Sequence, residues 1–182
     1  SSEGDVAFKS GFTIRAEKSP NARGATEILS GVGVDAQEIW SGIESGKIKA
    51  LYFLGGDPGD VLTEDEMGTL DKLEFLVVQT ISSSELTRRA DVVLAGASFI
   101  EKDGTFTNHA GRVQRIHRGL APPGDAKADW EILKDFLEIM GMEAAYEKTE
   151  DVLADMVCSI KAFEGMVFEK LGSQGIALSN GK

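Results

Sequence analysis

Apolar residues in this chain gather in short unbroken runs, and between the runs they recur at helical spacing. Residues 48–54 (IKALYFL), 75–79 (FLVVQ) and 92–95 (VVLA) are rich in strand formers and too short for independent helices, which predicts three buried strands. The intervening segments carry helix-start signals. Thr63 with Glu66 forms a capping box for a helix running to about Leu73, and Ser82 with Glu85 repeats the device before a short helix ending near Arg89. Upstream, Asp35 with Glu38 opens a helix whose Ile39, Trp40 and Ile43 share a face, and Gly46 ends it as a left-handed C-cap. Strands that are apolar throughout and alternate with helices predict an α/β fold: a three-layer arrangement with a mostly parallel sheet, helices on both faces and right-handed crossovers.

The flanks are less regular. Residues 1–33 form a segment rich in Gly, Ser and charge, with a weak apolar alternation at Phe12 and Ile14 and loop-like chemistry at Asn21, Arg23 and Gly24. Residues 34–178 make up the α/β domain, and 179–182 a tail. Within that domain, residues 90–114 (ADVVLAGASFIEKDGTFTNHAGRVQ) read as the third strand delivering a polar, glycine-punctuated loop. Pro122-Pro123-Gly124 breaks the chain before a helix that begins between Ala126 and Asp129, carries Trp130, Leu133, Leu137 and Met140 on one face and stops at Gly141. Thr149 caps a further helix with Val152, Leu153, Met156, Val157, Ile160 and Phe163, and from Gly165 onward the pattern fades.

Charge narrows the function classes. The 30 acidic residues against 19 basic ones give a net charge of -11, which repels phosphate backbones and anionic headgroups, so nucleic acid is not an expected partner. Cys158 is the single cysteine; it sits in an apolar helical pattern, reads as a core residue, and leaves no disulfide framework or four-cysteine metal site within the chain. No apolar run approaches a bilayer span, so a soluble protein in a reducing, intracellular compartment is expected, without membrane insertion. The opening SSEGDVAFKSG reads as neither a leader nor a helix and suits an inner cut point of a longer polypeptide.

In an open parallel sheet, ligands bind beyond the carboxyl ends of the strands. That directs attention to Gly55 to Gly59, to Thr80 to Ser84, and to Gly96 onward. Small polar loops let backbone amides approach a bound group, yet Gly55-Gly56-Asp57-Pro58-Gly59 is neither a dinucleotide fingerprint nor a Walker loop, and Asp57 repels phosphate. His109 and His117 lack nearby ligands at metal-binding spacing and read as surface residues. Ser82 to Ser84 lack a glycine-flanked elbow, which leaves capping as their role. Glu101 and Asp103 flank Lys102 in what reads as a solvated turn, and Arg112 either binds an anion or ties down a carboxylate. No catalytic residue and no metal site emerges.

FLVVQT, ADVVL, EKDGTFTNHAGRVQR and PPGDAKADWEIL, in that order, resemble the molybdopterin oxidoreductase superfamily. LYFLGGDPG looks like the family's strand and Gly-x-Asn-Pro turn, with Asp57 where asparagine is typical, and FEGMVFEKLGSQGI is similar to the stretch that closes the same domain. The likeness covers roughly residues 46–178, and Glu101, Gly104, Thr105 and Asn108 form its most specific element. Asn108-His-Ala-Gly111-Arg112-Val-Gln114 looks most like the large iron–sulfur subunit of NADH:quinone oxidoreductase, complex I. This implies a non-catalytic structural and interaction domain that keeps the family fold without a pterin, supporting electron transfer by iron–sulfur clusters elsewhere in the subunit. Its implied partners are other subunits of the complex's peripheral arm, at the cytoplasmic, inner face of the cell membrane. The alternative that the resemblance implies, second to this reading, is a domain of a formate dehydrogenase-like enzyme that binds one arm of molybdopterin guanine dinucleotide. Gly55, Gly56, Asp57 and Pro58 match the turn beside that arm, and Gln79 and Thr80 the adjoining strand end. Glu85-Leu86-Thr87, where the family has Glu-Thr-Ala, departs from the pattern. A free-standing nucleotide sensor is a third possibility.

Overall fold

The computed structural model describes residues 6–7, 9, 13–14, 20–55 and 62–179. The strands are β1 (Val6–Ala7), β2 (Thr13–Ile14), β3 (Ala50–Leu54), β4 (Phe75–Thr80), β5 (Val92–Ala95), β6 (Gly104–Thr107), β7 (Arg112–Ile116) and β8 (Ile176–Ala177). The α-helices are α1 (Ala22–Ile28), α2 (Ala36–Glu44), α3 (Glu64–Leu70), α4 (Glu85–Arg89), α5 (Asp129–Ile139) and α6 (Thr149–Ser159). Contacts divide the chain into two interleaved units: residues 1–31, 103–116 and 147–182 form one, and residues 32–102 and 117–146 the other. The span 34–178 therefore runs through both.

The unit of residues 32–102 and 117–146 is the α/β part. Its sheet has the order β3-β4-β5 with both pairs parallel, Ala50 opposite Phe75 and Val77 opposite Val92. Alternation along β4 explains the layers. Leu76 and Val78 share a face with Leu51 and Phe53, and this face packs with Trp40 of α2, Met67 and Leu70 of α3 and Leu86 of α4. The opposite face carries Tyr52 and Gln79, which meet Phe136 and Asp129 of α5. Helices thus cover both faces of a parallel sheet, and burial of Leu70, Leu76, Val78 and Leu86 stabilises the arrangement by about 1.5–3 kcal/mol per side chain.

Local signals set the helix starts. Asp35 caps α2 by accepting from Gln37 N at 2.8 Å, and Thr63 and Glu66 form the expected capping box on α3. Glu66 is held below the usual carboxylate range, chiefly because it accepts from the Thr63 backbone N–H and hydroxyl. The box on α4 is Ser84 with Thr87, not Ser82 with Glu85: Glu85 begins the helix, and Ser84 is the residue in extended conformation with its hydroxyl on Thr87 N. Gly46 and Gly141 follow α2 and α5 at φ 70° and 78°.

The other unit differs more from the reading of its residues. The polar loop expected after Gly104 is a hairpin, with β6 and β7 antiparallel and Phe106 opposite Gln114. Asn108 shapes its turn: Oδ1 accepts from Ala110 N and Arg112 N, each at 3.0 Å, and Nδ2 donates to Gln114 Oε1 at 3.0 Å. The fading tail is structured. β8 pairs with β7, and Phe168, Leu171 and Leu178 join Val113, Leu153, Phe163 and Met166 in one buried cluster. Asn21 and Gly24 belong to a helix start rather than a loop, and Asn21 Oδ1 accepts from Thr107 N at 2.8 Å. Thr149 opens α6 from inside, with Lys148 as the cap residue whose N–H Asp151 receives. Cys158 is exposed, because α6 turns Leu153, Met156 and Val157 toward the core instead. Of the weak N-terminal alternation, Ile14 lies in β2, paired with Val6, and Phe12 lies outside the described residues.

Gly175 locks β8 to β7. It sits at φ 68°, and an added Cβ would run into the Val113 carbonyl and lie 2.8 Å from Gln114 Cγ. Gly175→Ala is expected to lower stability by about 2 kcal/mol or more, combining the left-handed backbone cost with the clash. Gly31→Ala, with φ 77° and nothing near the added atom, is expected to lose only the backbone part. Urea unfolding of the two variants checks the difference.

Candidate functional site

The parallel strands end together at Leu54-Gly55, Gln79-Thr80 and Ala95-Gly96. The backbone is tied across this crest: Gly55 N donates to Gln79 O at 3.0 Å and Gly96 N to Thr80 O at 2.9 Å. Lys127 adds a short parallel bridge beyond β5, with Ala97 N donating to Lys127 O at 2.7 Å and Lys127 N to Ala95 O at 3.1 Å.

Beneath the crest lies a chain of four polar side chains. The Tyr52 hydroxyl donates to Gln79 Oε1, Gln79 Nε2 donates to Asp129 Oδ1 at 2.7 Å, and the Lys102 ammonium donates to Asp129 Oδ2. Gln79 is only 1% exposed, so pairing at both ends of its amide is what makes its burial tolerable. The partners also orient that amide, since its oxygen faces a hydroxyl donor and its nitrogen a carboxylate. Asp129 is the first residue of α5, where a negative charge suits the helix N-terminus. Gly96 makes room for it: a Cβ there would lie 3.2 Å from Asp129 Oδ1. Tyr52 packs edge-on to Phe136, with ring centroids 5.6 Å apart. Burial first, and the Asp129 carboxylate second, push the Tyr52 phenol above its ordinary value.

This arrangement distributes the residues read from the sequence. Gln79 and Thr80 are buried and engaged within the fold, whereas Gly55 stands at the crest and Gly56, Asp57 and Pro58, with Gly59, lie outside the described residues. Lys102, read as part of a solvated turn, is instead an ion-pair partner of Asp129 with its side chain 20% exposed. Glu101 closes the neighbouring turn, Oε2 accepting from Ser98 N at 2.8 Å. Arg112 ties down backbone: Nε and Nη2 donate to the carbonyls of Gln174 and Gly175 at 3.0 and 2.8 Å. His109 and His117 are exposed, and among the described residues no three His, Cys, Asp or Glu side chains gather as a metal-binding group. Tyr52 and Asp129 were hidden in the sequence, one inside an apolar run and the other as one of several acids at a helix start. A polar residue ending the FLVVQ run was the only visible clue.

The sequence matches the molybdopterin oxidoreductase family over residues 17–139. The chain belongs to that family. Its relatives include the alpha subunit of a formate dehydrogenase of Methanococcus maripaludis, 40% identical over 134 residues, covering 71% of this chain and 20% of that subunit. The alpha subunit of the NADPH-Fe(3+) oxidoreductase of Geobacter sulfurreducens is 35% identical over 161 residues, 84% of this chain and 19% of its own. Acetylene hydratase from Pelobacter acetylenicus shares the fold, with a TM-score of 0.61 at 16% identity over 78% of this chain and 20% of the hydratase. The chain thus spans about a fifth of the length of these relatives.

At the crest the chain leaves β3 through Gly55 and β5 through Gly96, and after β4 it passes Ile81 before Ser82 and Ser83; the small residues permit close backbone approach. The four-membered chain below links its members to one another through three hydrogen bonds. Its role is to hold strand ends and the α5 N-terminus in register.

Gln79→Leu should cost about 1–3 kcal/mol by leaving the Tyr52 hydroxyl and Asp129 without their partner, and Tyr52→Phe less. A raised phenol keeps its proton in the folded state over a range where the unfolded chain has lost it, so this contribution is complete below the ordinary tyrosine value of about 10 and disappears as pH climbs through the raised one. Denaturation curves between neutral and alkaline pH are expected to fall less steeply for Tyr52→Phe than for the unaltered protein.

Proposed function

We propose that this chain is the portion of a formate dehydrogenase-like molybdopterin oxidoreductase subunit that receives one nucleotide arm of the guanine dinucleotide cofactor. The observation that carries this reading is the parallel crest, with glycine leaving β3 and β5, in a chain whose relatives include a formate dehydrogenase alpha subunit. The bound cofactor would supply a metal centre for redox chemistry, while this chain supplies anchorage. Gly55 and the residues through Gly59 would approach the arm from β3, and Ser82 and Ser83 would offer hydroxyls after β4. Gln79 would act from beneath, holding β3 and α5 against β4. Neither Tyr52 nor Lys102 is assigned a proton-transfer role, since each already serves a fixed partner.

A second reading is a structural and interaction domain without a bound pterin, as in the large subunit of complex I. It is favoured by the internal pairing of Gln79 at both ends of its amide and by the acidic Asp57 that follows β3 in sequence. Iron–sulfur clusters would then lie in other parts of the subunit, with partner subunits on its acidic surface at the inner face of the cell membrane. Acid extraction of the purified complete subunit separates the two readings. Guanine nucleotide and pterin in about one-to-one amount with protein are expected, with Ser83→Trp reducing both; extracts free of guanine nucleotide and pterin would overturn the cofactor-arm reading.

A further inference from the structure

Phosphate carries the sign of charge that this chain as a whole repels, since its net charge is -11. Asp57 adds a further negative group to the residues that follow β3 in sequence. Backbone amides freed by glycine offer an anion only partial charge. A crest that holds a nucleotide arm therefore gains from a full cation within hydrogen-bonding reach.

Lys102 brings one there. Its ammonium donates to Asp129 Oδ2, and the other oxygen of that carboxylate receives Gln79 Nε2 near the end of β4. That second oxygen would also lie 3.2 Å from a Cβ on Gly96, where the chain leaves β5. The acid thus ties the lysine to the carboxyl ends of two strands, all within one unit of the chain. An ammonium has three N–H donors and no acceptor. Among the described residues the acceptor it meets is Asp129 Oδ2, so donors remain for a second partner. The side chains of Lys102 and Asp129 are 20% and 37% exposed, which leaves the pair open to an approaching ligand. Being neutral as a pair, they draw no anion from a distance; the lysine acts at contact, through a charge-assisted hydrogen bond.

We propose that the Lys102 ammonium, held in place by Asp129, recognises a phosphate of the nucleotide arm, an inference that rests on the cofactor-arm reading above. The test titrates GDP into the complete subunit freed of cofactor. Lys102→Gln, which can still donate to Asp129, is expected to weaken GDP binding by about 10–100-fold, and Lys102→Arg by less than about fivefold. Asp129→Asn removes the ion pair but keeps the lysine's charge, and its GDP affinity is expected to stay within about threefold of the unaltered subunit's. Unchanged GDP affinity in Lys102→Gln would overturn the proposal. Equal weakening in Lys102→Gln and Asp129→Asn would do the same, because the lysine would then act only by neutralising the acid. An unaltered subunit that binds no GDP also sinks it, while the extraction of guanine nucleotide and pterin decides the cofactor-arm reading separately.

Discussion

A primary amide buried at the end of a strand is costly unless both its ends are paired, and Gln79 satisfies that condition with partners far apart in sequence. Tyr52 comes from the neighbouring strand and Asp129 from a helix fifty residues downstream. Each unmade bond there would carry a desolvation penalty of about 1–3 kcal/mol, comparable to burying a whole apolar side chain. Apolar packing on the Leu76–Val78 face holds α2, α3 and α4 without strong directional preference. The amide on the opposite face adds direction, since it is satisfied only if β3, β4 and the start of α5 take up one mutual position.

Lys102 extends this constraint into the segment after β5. Its ammonium neutralises the Asp129 carboxylate that Gln79 also engages, so the acid at the start of α5 is paired on both oxygens. Glu101, its neighbour, closes the turn back to Ser98. The family-like stretch from Glu101 to Gln114 is therefore largely an architectural sequence. Glu101 shapes a turn, Asn108 a hairpin and Arg112 the return of the chain through residues 174–175. Motif residues of this kind identify the fold because they build it, and a functional role for them does not follow from their presence.

The parallel sheet was legible because its signals are local. Short apolar runs at residues 48–54, 75–79 and 92–95 bear on strands buried from both faces, and side-chain caps mark where the helices begin. The hairpin and β8 were not legible. Gly104-Thr-Phe-Thr and Arg112-Val-Gln-Arg-Ile alternate over too few residues, among too many polar ones, to stand out from a loop, and Ile176–Ala177 is a two-residue strand that exists only because β7 lies beside it. Cys158 misled for a related reason: an apolar helix pattern shows that a core face exists, but its exact centre depends on what the helix packs against.

Of the crest itself, composition and order along the chain determined the glycines that leave β3 and β5 and the parallel course that brings the strand ends together. They also determined the family, since the chain keeps 35–40% identity to relatives over most of its length. Tertiary structure alone decided which polar groups are spent inside the fold and which remain at its surface. Pairings such as Tyr52 with Gln79 and Lys102 with Asp129 join residues 27 positions apart in each case, and no local propensity encodes a distance across that much chain.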